Sequence, residues 1–140
     1  MIGLNSWDAA QEWRRRGENF LIVVRRSIVP DAGNLFFSGP NRWYVYAYIY
    51  PEHPIFSSFE GEDMWQTATK ALPLHHGASQ LMWHFNFEKM PCSIQVGADY
   101  GHHRDDRFAT FETPESAWEV FQDAEKLFDH LSPPVEELQI

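Results

Sequence analysis

The sequence predicts an α+β domain: an antiparallel meander sheet of about five strands, packed by a long C-terminal helix and a short N-terminal helix. Three observations predict it. Trp43 to Tyr50 alternates without a break between two faces, residues 80–98 carry a hairpin pattern, and Ala117 to Leu131 carries an apolar stripe at helical spacing. At 140 residues, 44% hydrophobic and 16% aromatic, the chain has the size of one folded unit and the material for one core. Residues 1–140 are therefore expected to form a single domain with an acidic, loosely held tail at 132–140.

The opening segment reads as a helix of about three turns. Ser6 caps it, Trp7, Ala10 and Trp13 recur at helical spacing, Arg14 to Arg16 suit the negative end of the dipole, and Gly17 stops it. Phe20 to Arg26 is a short β-branched and aromatic run bounded by Gly17 and Pro30, hence a strand inside the sheet. Pro30 to Asn41, rich in Pro, Gly and Asn, is a long connection. In the run WYVYAYIY, Tyr44, Tyr46, Tyr48 and Tyr50 share one face, and Trp43, Val45, Ala47 and Ile49 share the other. Pro51 to Pro73 is a connection in which Glu62 to Lys70 forms one or two helical turns around Met64, Trp65 and Ala68. Gln80 to Phe87 and Ser93 to Ala98 pair through a turn at Lys89 to Pro91, and Phe108 to Phe111 adds a further strand. Thr113 as cap and Pro114 at the first helical position open the closing helix, whose stripe is Ala117, Phe121, Ala124, Phe128 and Leu131, and Ser132 to Pro134 end it.

Charge narrows the partners. The net charge of −9 divides into +2 over residues 1–50 and −11 over residues 51–140. Phosphate backbones are bound by arrays of Lys and Arg, and outside Arg14 to Arg16, Arg25 and Arg26 no such array exists, so general nucleic-acid binding is not expected. An acidic surface can instead imitate nucleic acid in a partner's basic groove. No long apolar run and no signal-peptide pattern is readable, so the expected location is the cytoplasm, away from the membrane. Cys92 is the lone cysteine and is expected to serve packing.

Chemistry is concentrated in two histidine doublets, His75-His76 in LPLHHGAS and His102-His103 in GADYGHHRDD, the second followed by Asp105 and Asp106. Imidazoles and carboxylates are the usual donors for borderline metals and for acid/base work. No HExxH, zinc-finger, GxSxG, GxGxxG or GxxxxGK[ST] pattern accompanies them. Antiparallel pairing of residues 80–87 with 93–98 puts His75 and the loop from Asp99 to Asp105 at the same end of the sheet, where they can share a pocket. Turn and cap roles for the same residues are the competing reading. Arg25, Arg26 and Arg42 flank the aromatic strands, where they can clamp a phosphorylated ligand stacked on Tyr or Trp.

YIYPEHPIF (48–56), LPLHHGAS (72–79), VGADYGHHRDDRF (96–108) and TPESAWEVFQDAEKLFDHL (113–131) together resemble a group of small, uncharacterised bacteriophage and prophage proteins. In that group an extended HP segment, an LHGG-like turn and a G-x-D-x-x-H-x-x-D loop follow in this order. The resemblance covers roughly residues 43–131 and carries the pattern onto His53 and Pro54, His75 and Gly77, then Gly97, Asp99, His102 and Asp105. His76 departs from it, standing where glycine is commoner, which puts a positive-φ turn there in question. The resemblance implies an accessory setting, often counter-defence, and no particular reaction.

The expected function is accordingly a non-enzymatic phage-type accessory protein that inhibits a host protein or sequesters a nucleotide signal. Its expected ligand-binding residues are His75, Gly77, Asp99, Tyr100, His102, Asp105, Tyr46, Tyr48 and Arg42. The alternative is a metal-dependent hydrolase or phosphoesterase in which His75, His102 and Asp105, together with Asp99, hold a divalent ion that activates water. An acidic nucleic-acid mimic is the third. The expected partner is a host protein or a small phosphorylated ligand, and the sequence admits a homo-oligomer.

Overall fold

Trp43, Val45, Ala47 and Ile49 are buried while Tyr44, Tyr46 and Tyr48 are half-buried, as alternation requires of a strand lying between two unlike environments. The computed structural model of the protein describes residues 10–28, 39–60, 67–101 and 105–133. Around this strand, β3 (Asn41–Ile49), the sheet adds β1 (Ala10–Gly17), β2 (Phe20–Ile28), β4 (Gln80–Phe85) and β5 (Pro91–Asp99). All neighbours are antiparallel and the order is β1-β2-β3-β5-β4. A four-residue helix, α1 (Thr67–Lys70), precedes β4, and α2 (Trp118–Leu131) closes the described chain.

One face of the sheet is covered by α2. Val120, Ala124, Leu127 and Leu131 meet Phe20, Ile22 and Val24 of β2, Trp43, Val45 and Ile49 of β3, and Ile94 and Val96 of β5 in a single core. Cross-strand register assigns the opposite face: Leu21, Val23 and Arg25 lie beside Tyr48, Tyr46 and Tyr44, which lie beside Gln95, Gly97 and Asp99. Gly97 is required there, because a Cβ on it would stand 2.3 Å from the Val45 carbonyl oxygen and 2.6 Å from the Tyr46 ring.

Three expectations are corrected. Residues 10–17, predicted as the end of a helix, form strand β1, paired residue for residue with β2 from Ala10↔Ser27 to Gly17↔Phe20. Long-range contacts override the local helical spacing: Trp13 stacks on Trp43 at 5.6 Å, and the Arg15 guanidinium lies 3.7 Å from the Phe128 ring centroid while pairing with Glu125. Gly17 is a close-approach glycine rather than a helix stop, since the Phe20 ring occupies the space of its missing Cβ, and Asn19 turns the hairpin at φ 67°. Ser6 and Trp7 lie outside the described residues.

Phe108 to Phe111, predicted as a strand, belongs instead to the 3₁₀ segment Asp106–Thr110 and the residue after it. The segment is fixed by packing at the mouth of β3, where Asn41 Nδ2 donates to the Ala109 carbonyl at 3.1 Å and Trp43 Nε1 to the Phe111 carbonyl at 3.1 Å. The simple meander is the third correction. β5 inserts between β3 and β4, because Ile94 to Ala98 are apolar enough for the buried lane while β4 is only half-buried.

The closing helix forms but begins later, at Trp118, and its buried stripe is centred on Val120, Ala124, Leu127 and Leu131, with the predicted Phe121 and Phe128 partly buried beside it. Thr113 and Ser116 exchange side-chain-to-backbone bonds of 3.1 and 3.2 Å in the preceding turn, so Thr113 caps that turn. Of the predicted Glu62 to Lys70 helix, Thr67–Lys70 is observed and residues 61–66, with Met64 and Trp65, lie outside the described residues, as do residues 30–38 of the predicted connection and 134–140 of the tail. Among the described residues no helix is long and apolar enough to cross a membrane.

Candidate functional site

Leu74 to Gly77 forms a turn closed by the Gly77 N–H donating to the Leu74 carbonyl at 2.9 Å. His76 holds φ 57° and Gly77 φ 85°, so the positive-φ turn forms even with histidine where glycine is easier. A left-handed backbone at a histidine costs about 1–2 kcal/mol, and its effect is visible in the side chains. Successive residues of an extended chain point to opposite sides, yet the rings of His75 and His76 stand 4.2 Å apart.

Both rings converge on Asp105, which arrives from the far end of β5 and is 2% exposed. His75 Nε2 lies 2.8 and 2.9 Å from the two oxygens of the Asp105 carboxylate, and His76 Nε2 lies 3.9 Å from the nearer one. One ligand atom from each of these three residues falls within 4.8 Å of the others. The His75 ring is clamped against Tyr100, stacked at 4.2 Å and 16°, and Phe108 meets it edge-on at 5.8 Å. Tyr100 is held in turn by its hydroxyl, which donates to Asp123 of α2 at 2.5 Å. Burial, and then the bond to the Asp123 carboxylate, push the Tyr100 hydroxyl's pKa far above the ordinary tyrosine value, so it serves as a fixed donor.

Of the residues predicted for binding, His75, Tyr100 and Asp105 thus meet in one cluster, with Gly77 in the turn that presents it. His102 lies outside the described residues. Asp99 is used otherwise: its carboxylate accepts from the Gly101 N–H at 3.0 Å and the Ser79 hydroxyl at 3.3 Å, an Asx-type closure of the strand end. It shares a cleft of about 190 Å³ with Arg42, Trp43, Tyr44, Tyr100 and Gly101. Arg42 there donates to the carbonyls of Gly39 and Asn41 at 2.8 and 3.1 Å.

Tyr46 and Tyr48 are apart from the cluster, on the sheet face opposite α2. Tyr44 and Tyr46 stack at 6.0 Å, and Tyr48 stacks on His84, whose Nε2 meets Gln95 Oε1 at 2.9 Å. Burial raises the pKa of all three tyrosines, that of Tyr46 to about 12. His53, which the resemblance marks, is structural. Its Nδ1 accepts from the Ile55 N–H at 3.2 Å, which leaves Nε2 to donate to the Leu131 carbonyl at 2.8 Å and pin the end of α2.

Sequence reasoning missed one region. The β4–β5 hairpin ends in a patch where Phe85 and Met90 are more than half exposed and Phe87 is fully exposed, with Met82 half exposed along the same strand. A signal was present, since Phe85 and Phe87 lead into the predicted turn and Met90 lies within it, the part of a hairpin farthest from any core. Cys92, expected to serve packing, is exposed here, its thiol 3.4 Å from the His84 carbonyl.

The sequence matches no protein-family model, and neither a curated protein nor a solved structure matches it.

Proposed function

We propose that the protein is a non-enzymatic binding protein of the phage accessory type, which docks a host protein along strand β4 and the tip of the β4–β5 hairpin. One observation carries this reading: an outer strand that ends in fully or half exposed Phe85, Phe87 and Met90. Large apolar side chains gathered at an exposed tip gain nothing from the fold that carries them, and such patches mark protein contacts. Aromatic residues and Met are the types enriched in interface cores. The outer strand adds a row of backbone donors and acceptors suited to pairing with an extended segment of another chain.

Charge favours a different protein over a second copy. The hairpin from Gln80 to Ser93 carries only the charges of Glu88 and Lys89, so the preference comes from the chain as a whole: at a net charge of −9 two copies repel at long range, while a partner with an apolar surface rimmed by basic groups is attracted. The test is a Phe85→Ser/Phe87→Ser/Met90→Ser triple variant compared with the wild type in capture from bacterial lysate, with melting temperature and sedimentation measured in parallel. The expected result is a host protein retained by the wild type, lost by the variant, and an unchanged melting temperature. Equal retention by both chains overturns the location. A wild-type dimer abolished by the variant overturns the choice of partner.

A further inference from the structure

We infer that His75, His76 and Asp105 form a binding site for one divalent transition-metal ion of zinc type, independent of the hairpin. The donor set is two imidazole nitrogens and a carboxylate oxygen, which suits zinc and its neighbours and does not suit magnesium or calcium, whose sites are built from oxygen. The spacing agrees. Donor atoms about 2.0–2.2 Å from a common tetrahedral ion stand roughly 3.3–3.5 Å from each other. His75 Nε2 to Asp105 is 2.8 Å, His76 Nε2 to Asp105 is 3.9 Å and the three donors lie within 4.8 Å of one another, so these separations bracket that spacing, and an ion would widen the first as the exposed His76 ring turns inward.

The turn itself is the second observation. Holding His76 at φ 57° sets its half-exposed ring 4.2 Å from that of His75, with both imidazoles on one side of the chain, toward a carboxylate on a different segment. Strain retained at one position and directed at a cluster of donors is how protein sites are commonly held. The surrounding groups complete the arrangement, since Tyr100 fixes the plane of the His75 ring and the Asp123 carboxylate fixes Tyr100.

Binding is balanced in protons. The proton on His75 Nε2 that faces the Asp105 carboxylate leaves that atom and the ion takes its place, while Nδ1 carries the ring's remaining proton, taken from solvent where the ring was neutral, so that the coordinating imidazole stays neutral. With three protein ligands, water fills the fourth position. The ion ties the Leu74–Gly77 turn to the start of the 3₁₀ segment, and so joins the approach to β4 with the exit of β5.

The experiment uses tag-free full-length protein stripped with chelator, titrated with zinc and, separately, with magnesium, and followed by calorimetry and thermal melting. Expected are one zinc equivalent, a higher melting temperature with zinc and none with magnesium. His76→Gly removes one ligand at an exposed turn and relieves its backbone, so the stripped variant should melt no lower than the wild type. Its zinc affinity should fall by at least the ~10–100-fold that loss of a mere supporting partner costs. Asp105→Asn should lose the zinc response as well, and because Asp105 is buried, His76→Gly carries the test if that variant fails to fold. A wild type whose melting ignores zinc overturns the site, and so does a His76→Gly variant that binds zinc as tightly as the wild type.

Discussion

The two outer strands of this sheet each pair with one neighbour only, and their chemistry is opposite. β1 places Glu12, Arg14, Arg15 and Arg16 within eight residues, while β4, QLMWHF, holds no carboxylate, Lys or Arg. On β1 the charges are organised: Glu12 accepts from Arg14 and Arg25 at 2.9 Å each, and Arg15 pairs with Glu125 of α2. Charged outer strands resist pairing with other chains, and apolar ones invite it. The difference teaches that one side of the sheet is closed and the other left available, and it is the reason for assigning recognition to β4.

That contrast can be broken at graded cost. Trp13→Ala should have the largest effect, because the ring stacks on Trp43 and meets Phe121 edge-on at 5.3 Å, anchoring β1 to the core. A loss of ~3 kcal/mol in urea unfolding is expected, at the low end for buried Trp truncation. Gly97→Ala follows, at about 1–3 kcal/mol for overpacking, since the added methyl meets backbone at Val45 and loosens the lane that holds β4. Retention of wild-type stability by either variant would contradict the packing described for its side of the sheet.

Smaller effects sharpen the comparison. Burial raises the Tyr46 pKa above its unfolded value, so its neutral form is favoured in the folded state. Stability should be complete below pH 10 and decline as pH rises from there to about 12, and Tyr46→Phe should flatten the decline in alkaline melting curves. Replacing Phe85, Phe87 and Met90 by Ser should change folding stability by no more than ~0.5 kcal/mol, as for surface positions generally, while raising solubility. Glu12 gives the least. The bond from Arg14 comes first in lowering its pKa, with Arg25 adding to it against partial burial, so its contribution is present above the ordinary carboxylate range and lost as pH falls through it. Screening at the surface limits this to about 0.5 kcal/mol, measurable as a shallower acid limb in Glu12→Gln.

Legibility followed the range of the forces involved. β3 and α2 could be read because each has one dry face, which imposes a period of two or 3.6 on the residues themselves. β1 could not, since its Arg, Glu and Gln favour helix locally, while its ladder to β2 and the contacts of Trp13 and Arg15 with Trp43, Phe121, Glu125 and Phe128 hold it extended. Phe108 failed for the same reason: the carbonyls of its neighbours Ala109 and Phe111 are bonded by the side chains of Asn41 and Trp43, distant in sequence, in place of a strand ladder. In the candidate site, hairpin topology placed His75 beside the loop after β5. The share of His76 was hidden in a backbone angle, and Asp99 was diverted by its own loop's N–H.

By itself the sequence determined an α+β chain with an alternating tyrosine strand, one hairpin, one amphipathic helix and a turn at His75 set at the same end of the sheet as the loop after β5, because these follow from periodicity and turn chemistry between near neighbours. Only the tertiary structure decided which strands became outer ones, that β5 took the buried lane, and that His75, His76 and Asp105 share one point. Those outcomes depend on contacts between segments far apart in the chain, whose free energy exists only once the core has closed.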